Sequence, residues 1–299
     1  MAESKEQQDL NLHAPTPTAV DQMVEKAVID LGIPPCPAIL NRFMAEARKD
    51  EPDYQRLASI ICSDVSLSAS LVKTANSPYF GARQRVRSVN DALVILGLNI
   101  ASRAVAGIIL RKSFPTVPNM ERFWDASSRF ARVSGWLAQR FGSLELAPED
   151  AYTYGLFRDC GIPVLLKRLP SYESVLHSAN NETGLDFTQI EDAVLPTNHA
   201  IVGCVLAQSW WLPEEICLAI RHHHDRSVLA ATTSPPPLLS RKLVAVTQLA
   251  EHLVQQQLGI SRTQEWGKLG ASCLNLLDID ESQMETLALE AAPVIAADE

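Results

Sequence analysis

Apolar residues recur at spacings of three and four positions from about residue 20 to the end of the chain, whereas strict alternation of apolar and polar residues is hard to find. A repeat of about 3.6 residues indicates helices with one apolar face, and alternation would have indicated strands. The pattern therefore predicts an all-α fold.

Prolines, glycines and capping residues divide this pattern into helices. The first predicted helix starts near Val20 and stops at Gly32 and the IPPCP segment. The helices predicted after it contain the stretches ILNRFM, LASII, VSLSASLVKTAN, VNDALVILG, NIASRAVAGIILRK, ERFWDASSRFARVSGWLAQRFG, EDAYTYGLFRDCGIPVLLKRL with a bend near Gly161 and Pro163, HAIVGCVLAQSW, PEEICLAIRHHHD and LLSRKLVAVTQLAEHLVQQQ. Asp64 and Ser88 are placed to cap two of them.

The segment FPTVPN, with two prolines, is the predicted boundary between two helical subdomains that pack together. Residues 1–19 are polar and are predicted to be a disordered tail. Residues 20–114 are assigned to an N-terminal helical bundle and residues 115–226 to a second helical bundle. Residues 227–299 are assigned to a proline-rich linker and to C-terminal helices that pack on the second bundle.

The net charge of −9 argues against sequence-independent binding of nucleic acid and against an anionic membrane surface, since both need concentrated Lys and Arg. No run of about 18 uncharged apolar residues occurs, so no membrane span is predicted. The N-terminus lacks the apolar region of a signal peptide, and the six cysteines are scattered without a C-x-x-C pair. These features predict a cytoplasmic protein with free thiols.

The stretch YQRLASIICSDVSLSASLVKTAN spaces two short helices like a helix-turn-helix, whose second helix reads bases. That helix carries one cation, Lys73, so we do not predict DNA binding. The loop after it contains the candidates for contact with a partner, which are Tyr79, Phe80, Arg83, Arg85 and Arg87. Its arginines form either a solvated loop or a contact surface for an acidic partner, and the sequence leaves both open.

Two short stretches, GLFRDCGIP and RHHHD, contain carboxylates and histidines, which are the usual materials of a metal site. Each also has a purely structural interpretation. Asp159 can form an ion pair, Asn198 can cap the helix that His199 begins, and histidines are favoured at a helix C-terminus. Successive residues point about 100° apart around a helix, so at most two of His222, His223 and His224 can face a common site.

The chain resembles the HDOD family, the HD-related output domains of bacterial signalling proteins. The resemblance covers about residues 25–290 and is carried by IPPCPAIL, by SDVSLSASLVKTANSPYFGARQRVRSVNDALVILG, by GLFRDCG and by HAIVGCVLAQSWWLPEEICLAIRHHHD. It implies that the second bundle is similar to the HD phosphohydrolases. Those enzymes hold one or two divalent metals with an early His, a His-Asp pair and a later Asp.

Most of these metal-binding positions are altered in this sequence. The early His corresponds to Ala126, the His-Asp pair to Arg158 and Asp159, and the later Asp falls near Gln248. An arginine cannot bind a cation, because it is permanently positive, and beside Asp159 it would neutralise the carboxylate. The candidate ligands that remain are Asp159, His199, His222 and His223.

This resemblance, with its degenerate site, predicts a non-catalytic regulatory module that acts through contacts with unidentified signalling proteins, without a bound metal or other cofactor. Trp210 and Trp211 are predicted to be packing residues, and whichever is exposed is a candidate for such contacts. One alternative is a divergent metal-dependent phosphodiesterase that uses Asp159, His199 and either His222 or His223. Another is a pocket that binds a nucleotide without cleaving it, with Arg158 contacting a phosphate.

Overall fold

A computed structural model describes residues 33–76, 85–114, 120–229 and 235–297. Every regular element in these ranges is a helix, which confirms the predicted all-α fold. The predicted tail, the helix predicted from Val20, the contact candidates Tyr79, Phe80 and Arg83, and residues 115–119 of the predicted boundary lie outside the described residues.

The first group of helices occupies the described residues before position 115. It consists of α1 Ala38–Ala47, α2 Tyr54–Cys62, α3 Val65–Ala75 and α4 Val89–Ser113. The side chains of Asp53, Asp64 and Ser88 accept hydrogen bonds from backbone amides in the first turns of α2, α3 and α4, so short polar residues fix where these helices begin. Within α4 the backbone leaves the helical region at Gly97, where the sequence pattern predicted one helix to end.

The second group of helices follows residue 119. It consists of α5 Met120–Arg140, α6 Pro148–Phe157, α7 Gly161–Arg168, α8 Tyr172–Asn181, α9 Phe187–Asp192, α10 His199–Ser209, α11 Glu214–His222, α12 Arg226–Leu229, α13 Leu238–Leu258, α14 Glu265–Leu277 and α15 Met284–Ala296. The predicted long helix α5 is confirmed, and the bend predicted near Gly161 is a complete break between α6 and α7.

Packing in the second group is arranged around α5 and α13. Helix α5 packs on α6, α13 and α15, whereas α13 also contacts α11 and α14. Helix α10 lies between α7 and α11, and the first group joins the second where α4 packs on α6. One continuous apolar core runs through both groups. This arrangement brings the α6–α7 link, the start of α10 and the end of α11 close together.

Within the described ranges, α4 is the one helix that is long and apolar enough, by length and composition, to cross a membrane. It is interrupted at Gly97 and packs on α1, α2, α3 and α6, with half of its most apolar stretch buried. Its Arg103 forms an ion pair with Asp150 of α6. These contacts are those of a core helix.

Candidate metal centre

Four side chains that can bind a metal converge at the junction of α7, α10 and α11. They are Asp159 in the α6–α7 link, His199 at the first position of α10, and His223 and His224 directly after α11. Each contributes one ligand atom, and these four atoms lie within 4.8 Å of one another. The fold therefore gathers into one cluster residues that span 66 positions, from 159 to 224.

The distances in this cluster match the size of a coordination shell. His199 Nε2 lies 3.2 Å from His223 Nε2 and 3.1 Å from His224 Nε2. Asp159 Oδ1 lies 3.2 Å from His223 Nε2 and 3.7 Å from His199 Nε2. A four-coordinate ion with bonds of about 2.0–2.1 Å separates its ligand atoms by roughly 3.3–3.4 Å in a tetrahedron. The donor set of three imidazoles and one carboxylate therefore fits a single divalent ion.

Hydrogen bonds behind the cluster orient the three imidazoles. The Nδ1 atoms of His199 and His224 lie 2.7 and 2.6 Å from carboxylate oxygens of Glu191 and Glu265, and His223 Nδ1 lies 2.7 Å from the Ile220 carbonyl oxygen. An Nδ1 that donates to such an oxygen carries the ring proton, and the Nε2 of a neutral ring then presents its lone pair to the centre. Three lone pairs that face one another can bind one cation between them, either a metal ion or a proton on one of the rings.

The pKa shifts of three of the four ligands also suit a metal. Burial lowers the pKa of His223, and burial together with the neighbouring His223 and His199 holds the pKa of His224 well below its ordinary value. Burial would raise the pKa of Asp159, but the Arg158 guanidinium and a hydrogen bond to His223 hold it well below the usual range. Metal ligands must be deprotonated to bind, so these shifts favour binding.

The pKa of His199 is shifted in the opposite direction from those of His223 and His224. Burial would lower its pKa, but the carboxylate of Glu191 outweighs this effect and raises it. A metal ion and a proton therefore compete for His199 Nε2, because both bind the same lone pair.

Arg158 lies on the other side of Asp159. Its Nε and Nη2 donate to Asp159 Oδ2 at 3.2 and 3.0 Å, which confirms the predicted ion pair. Its Nη1 donates to Glu251 Oε2 of α13 at 2.9 Å, and Gln248 also donates to this carboxylate. Asp159 thus presents Oδ1 to the histidines and Oδ2 to a guanidinium.

The predicted ligands Asp159, His199 and His223 are brought together, whereas His222 lies outside the cluster. Its Nδ1 is 3.9 Å from Asp225, and the side chain is partly exposed. The fourth member is His224, which the sequence analysis did not select. Helix α11 ends at His222, so the 100° spacing of a helix no longer governs the next two residues.

The remaining residues that the sequence analysis selected are not ligands of this cluster. Ala126 of α5 is buried and has no ligand atom, Gln248 of α13 is buried and lies outside the set of four, and Arg85 and Arg87 are exposed. The sequence analysis missed Glu191, Glu251 and Glu265, which hydrogen-bond to His199, Arg158 and His224 from α9, α13 and α14. A signal was available for Glu251, which interrupts the mainly apolar stretch LVAVTQLAEHLV, since a buried carboxylate needs a partner.

The cluster is nearly closed to solvent. The side chains of His199, His223 and His224 are 0%, 1% and 6% exposed, and that of Asp159 is 16% exposed. The ring of Phe187 stacks on His224 with centroids 4.5 Å apart and meets the edge of His199. Access to the centre is therefore limited to the side of Asp159.

A comparison with protein families finds that the model of the HDOD domain matches residues 33–226. A curated relative is an uncharacterised protein of Treponema pallidum (strain Nichols), which is 26% identical over 195 residues. That match covers 64% of this chain and 37% of the relative, so the chain corresponds to little more than a third of the relative's length.

Solved structures of similar fold cover nearly all of this chain. A candidate phosphohydrolase from Shewanella amazonensis SB2B has a TM-score of 0.67 and 21% identity, covering 91% of this chain and 96% of its own. An HDOD domain protein of unknown function from Geobacter sulfurreducens has a TM-score of 0.64 and 24% identity, covering 92% and 96%. At such identities these likenesses establish the fold.

Proposed function

Because this chain belongs to the HDOD family, we propose that it is a non-catalytic regulatory module of signal transduction, and that it holds one divalent metal ion as a structural centre. The observation that carries the proposal is the set formed by Asp159, His199, His223 and His224, with a guanidinium beside it. This revises the expectation of a site without metal. It keeps the expectation that the protein acts through contacts with other proteins.

The proposal of a structural centre rests on the number of ligands. Structural zinc sites are closed by four protein ligands, whereas catalytic sites use three and leave one position for water. Three imidazoles and a carboxylate supply all four. Zn²⁺ suits this set best, and the ion would stabilise the junction of α7, α10 and α11.

The proposal of a non-catalytic role rests on the position of Arg158 and on the burial of the three histidines. A second ion that bridged Asp159 and Glu251 would need the space that the Arg158 guanidinium occupies between them. Hydrolysis of a phosphoester at a metal also needs a bound water and room for the ester. The three histidines are at most 6% exposed, which leaves little room for either.

A metal-dependent phosphodiesterase is the second candidate, and the exposure of Asp159 favours it. At 16% its side chain is the most accessible of the four, so an ester could approach the ion from that side. In this alternative Asp159, His199 and His223 would bind the ion and His224 would leave it to make room for water.

Metal content tests the proposal directly. The untagged protein is purified from cells supplied with Mn, Fe and Zn, and bound metal is measured by mass spectrometry. We expect about one equivalent for the wild type and for His222→Ala, and less than about a tenth for His199→Ala and His224→Ala. A wild type without metal would refute the structural centre, and an equal loss in His222→Ala would refute the ligand assignment.

Hydrolysis of bis-p-nitrophenyl phosphate distinguishes the two candidates. If the centre is structural, the metal-loaded wild type turns over no faster than Asp159→Ala. Turnover that depends on the bound metal and disappears in Asp159→Ala would establish the phosphodiesterase instead.

A further inference from the structure

A groove with a volume of about 1780 Å³ is lined by residues of α3, α4, α5, α6 and the end of α15. Six basic side chains line it, namely Lys73, Arg85, Arg87, Arg111, Lys112 and Arg132. Among the described residues that line the groove there is no aspartate or glutamate. For a chain with a net charge of −9, this is a strong local reversal of charge.

The bottom of the groove is apolar. Val72, Ile108, Leu156 and Val294 contribute to it from four different helices, and Trp136 adds a partly buried ring. An apolar strip with positive charges beside it is complementary to a segment that carries apolar and acidic side chains on adjacent faces.

The basic residues fall into two sets. In the first, Lys112 and Arg111 form ion pairs with Asp64 at 2.7 Å and with Asp125 at 3.7 Å, and Arg132 donates to the Ala297 carbonyl oxygen at 2.8 Å. In the second, Lys73 near the end of α3 and Arg85 and Arg87 before α4 are exposed to solvent. The second set can therefore contact a ligand without first breaking a buried interaction.

We propose that this groove binds an acidic amphipathic segment of a partner protein. Carboxylates of the segment pair with Lys73, Arg85 and Arg87, and its apolar side chains lie on the strip formed by Val72 and Ile108. The inference rests on the proposed regulatory function, for which it supplies the class of partner. It does not involve the metal centre, whose ligands lie on other elements.

The apolar strip favours a peptide over a nucleic acid. A nucleic acid presents phosphates along its whole length, so it would gain little from aliphatic side chains such as Val72 and Leu156. The experiment must still be able to detect binding of a single-stranded nucleic acid, so one probe is an oligonucleotide.

Fluorescence anisotropy with defined probes tests the proposal. The first probe is a labelled peptide of about 16 residues, long enough for a helix of roughly 24 Å, with Leu at helical spacing and Glu elsewhere. The second replaces every Glu by Gln, the third replaces every Leu by Ser, and the fourth is an oligonucleotide of uridines. We expect the first to bind most tightly, and both substituted peptides to bind about tenfold more weakly or worse.

Matched variants locate the binding site. Lys73→Glu/Arg85→Glu/Arg87→Glu reverses three exposed charges of the groove. The control Arg42→Glu/Arg122→Glu/Lys167→Glu makes the same change of net charge at exposed residues outside it. We expect the groove variant to lose about tenfold in affinity for the acidic peptide, and the control to lose about threefold or less.

Three outcomes would overturn the inference. They are equal losses in the two variants, undiminished binding in the groove variant, and tighter binding of the oligonucleotide than of the acidic peptide. Circular dichroism checks that both variants are folded. Because metal content is measured separately, a failure here would leave the metal centre standing, and a protein without metal would leave the groove inference standing.

Discussion

The charge of Arg158 is held in a buried position by two carboxylates. Burial would lower its pKa, but Asp159 and Glu251 raise it well above the ordinary value, so the guanidinium stays protonated. Burial also raises the pKa of Glu251, although the Arg158 guanidinium opposes this shift. The ring of Phe130 covers the guanidinium at 5.6 Å. Arg158 thus acts as a fixed cation, and a metal-binding histidine at this position would instead be neutral.

Replacing Arg158 by methionine keeps the approximate volume and removes this charge. Asp159 and Glu251 then remain buried without their cation, and breaking a buried pair in this way costs about 3–5 kcal/mol. Urea unfolding of Arg158→Met, with metal content measured in parallel, should give a loss of this size in the free energy of unfolding.

The double variant Arg158→Met/Glu251→Gln is the matched control for this prediction. It removes one of the two orphaned carboxylates, so it should recover part of the loss. A single variant within about 1 kcal/mol of the wild type would mean that the buried ion pair contributes little.

His252 makes the stability depend on pH. It stacks on Trp266 with ring centroids 4.1 Å apart, and burial lowers its pKa below the ordinary value of about 6.5. Between the lowered pKa and about pH 6.5 the unfolded chain binds more protons than the folded one, so the free energy of unfolding rises with pH. The contribution is complete above about pH 6.5 and is lost as the pH falls through the folded-state value.

The variant His252→Phe keeps an aromatic ring against Trp266 and cannot titrate. Its free energy of unfolding should therefore fall less steeply than that of the wild type as the pH is lowered from about 6.5. Guanidinium unfolding at several pH values measures this slope. His177→Gln, at an exposed histidine of α8, is the control, and an equal change of slope in both variants would assign the effect elsewhere.

At the level of the helices, the sequence predicted well where helices begin and end. It did not predict equally well which helices pack on each other. The apolar spacing located α5, and the capping roles of Asp64, Ser88 and Asn198 are confirmed by their hydrogen bonds to backbone amides. These features are set by residues within a few positions of each other. They can therefore be inferred without knowing the tertiary structure.

The candidate site could be predicted only in part, because it is assembled from separate segments. Asp159 and His199 were found through the family resemblance. His224 was missed because its position depends on the end of α11, and Glu265 because it approaches from α14. The packing of α7 on α10 brings Asp159 and His199 together. The spacing of apolar residues along the sequence does not reveal which helices pack on each other.

Gly161 allows this close crossing. A Cβ atom there would collide with the carbonyl oxygen of His199 and would lie 2.8 Å from the backbone nitrogen of Gly203. Gly161→Ala should therefore push α7 away from α10 and lower the free energy of unfolding by about 1–3 kcal/mol. It should also reduce metal content, because His199 moves with the start of α10.

Gly267 in α14 provides the matched control for Gly161. A Cβ added there meets no atom within 4 Å. Gly267→Ala should leave metal content unchanged and stabilise the protein by up to about 1 kcal/mol, since alanine is the better helix former. Thermal unfolding and mass spectrometry measure both effects. Similar behaviour of the two variants would show that the α7–α10 crossing tolerates a side chain.

Across the whole molecule, a small polar contact ties the first group of helices to the second. The guanidinium of Arg48, after α1, lies 4.6 Å from the ring centroid of Trp211, in the turn between α10 and α11. Trp211 Nε1 donates to Asn41 Oδ1 at 3.2 Å. Trp210 is fully buried, whereas Trp211 is 48% exposed, so the two neighbouring indoles have different roles.

Trp211 adopts a φ of +67°, which is unfavourable for a residue with a side chain. The contact with Arg48 and Asn41 helps to compensate for this strain, so the turn and α1 should stabilise each other. A double-mutant cycle with Arg48→Ala and Trp211→Ala should give a coupling free energy of about 0.5–1 kcal/mol, the value for a partly exposed cation–π pair. Urea unfolding of the four proteins measures it.

A parallel cycle supplies the control for this contact. Arg42 is an exposed arginine within α1, so Arg42→Ala combined with Trp211→Ala makes a similar change without the stacked pair. Its coupling should be close to zero, because among the described residues no hydrogen bond or ring contact joins Arg42 to Trp211, and residues without a direct interaction contribute nearly additively. Equal coupling in the two cycles would mean that Trp211 acts through the general packing of α1. Coupling confined to Arg48 would identify this stacked pair as one of the interactions that hold the two groups of helices in a fixed arrangement.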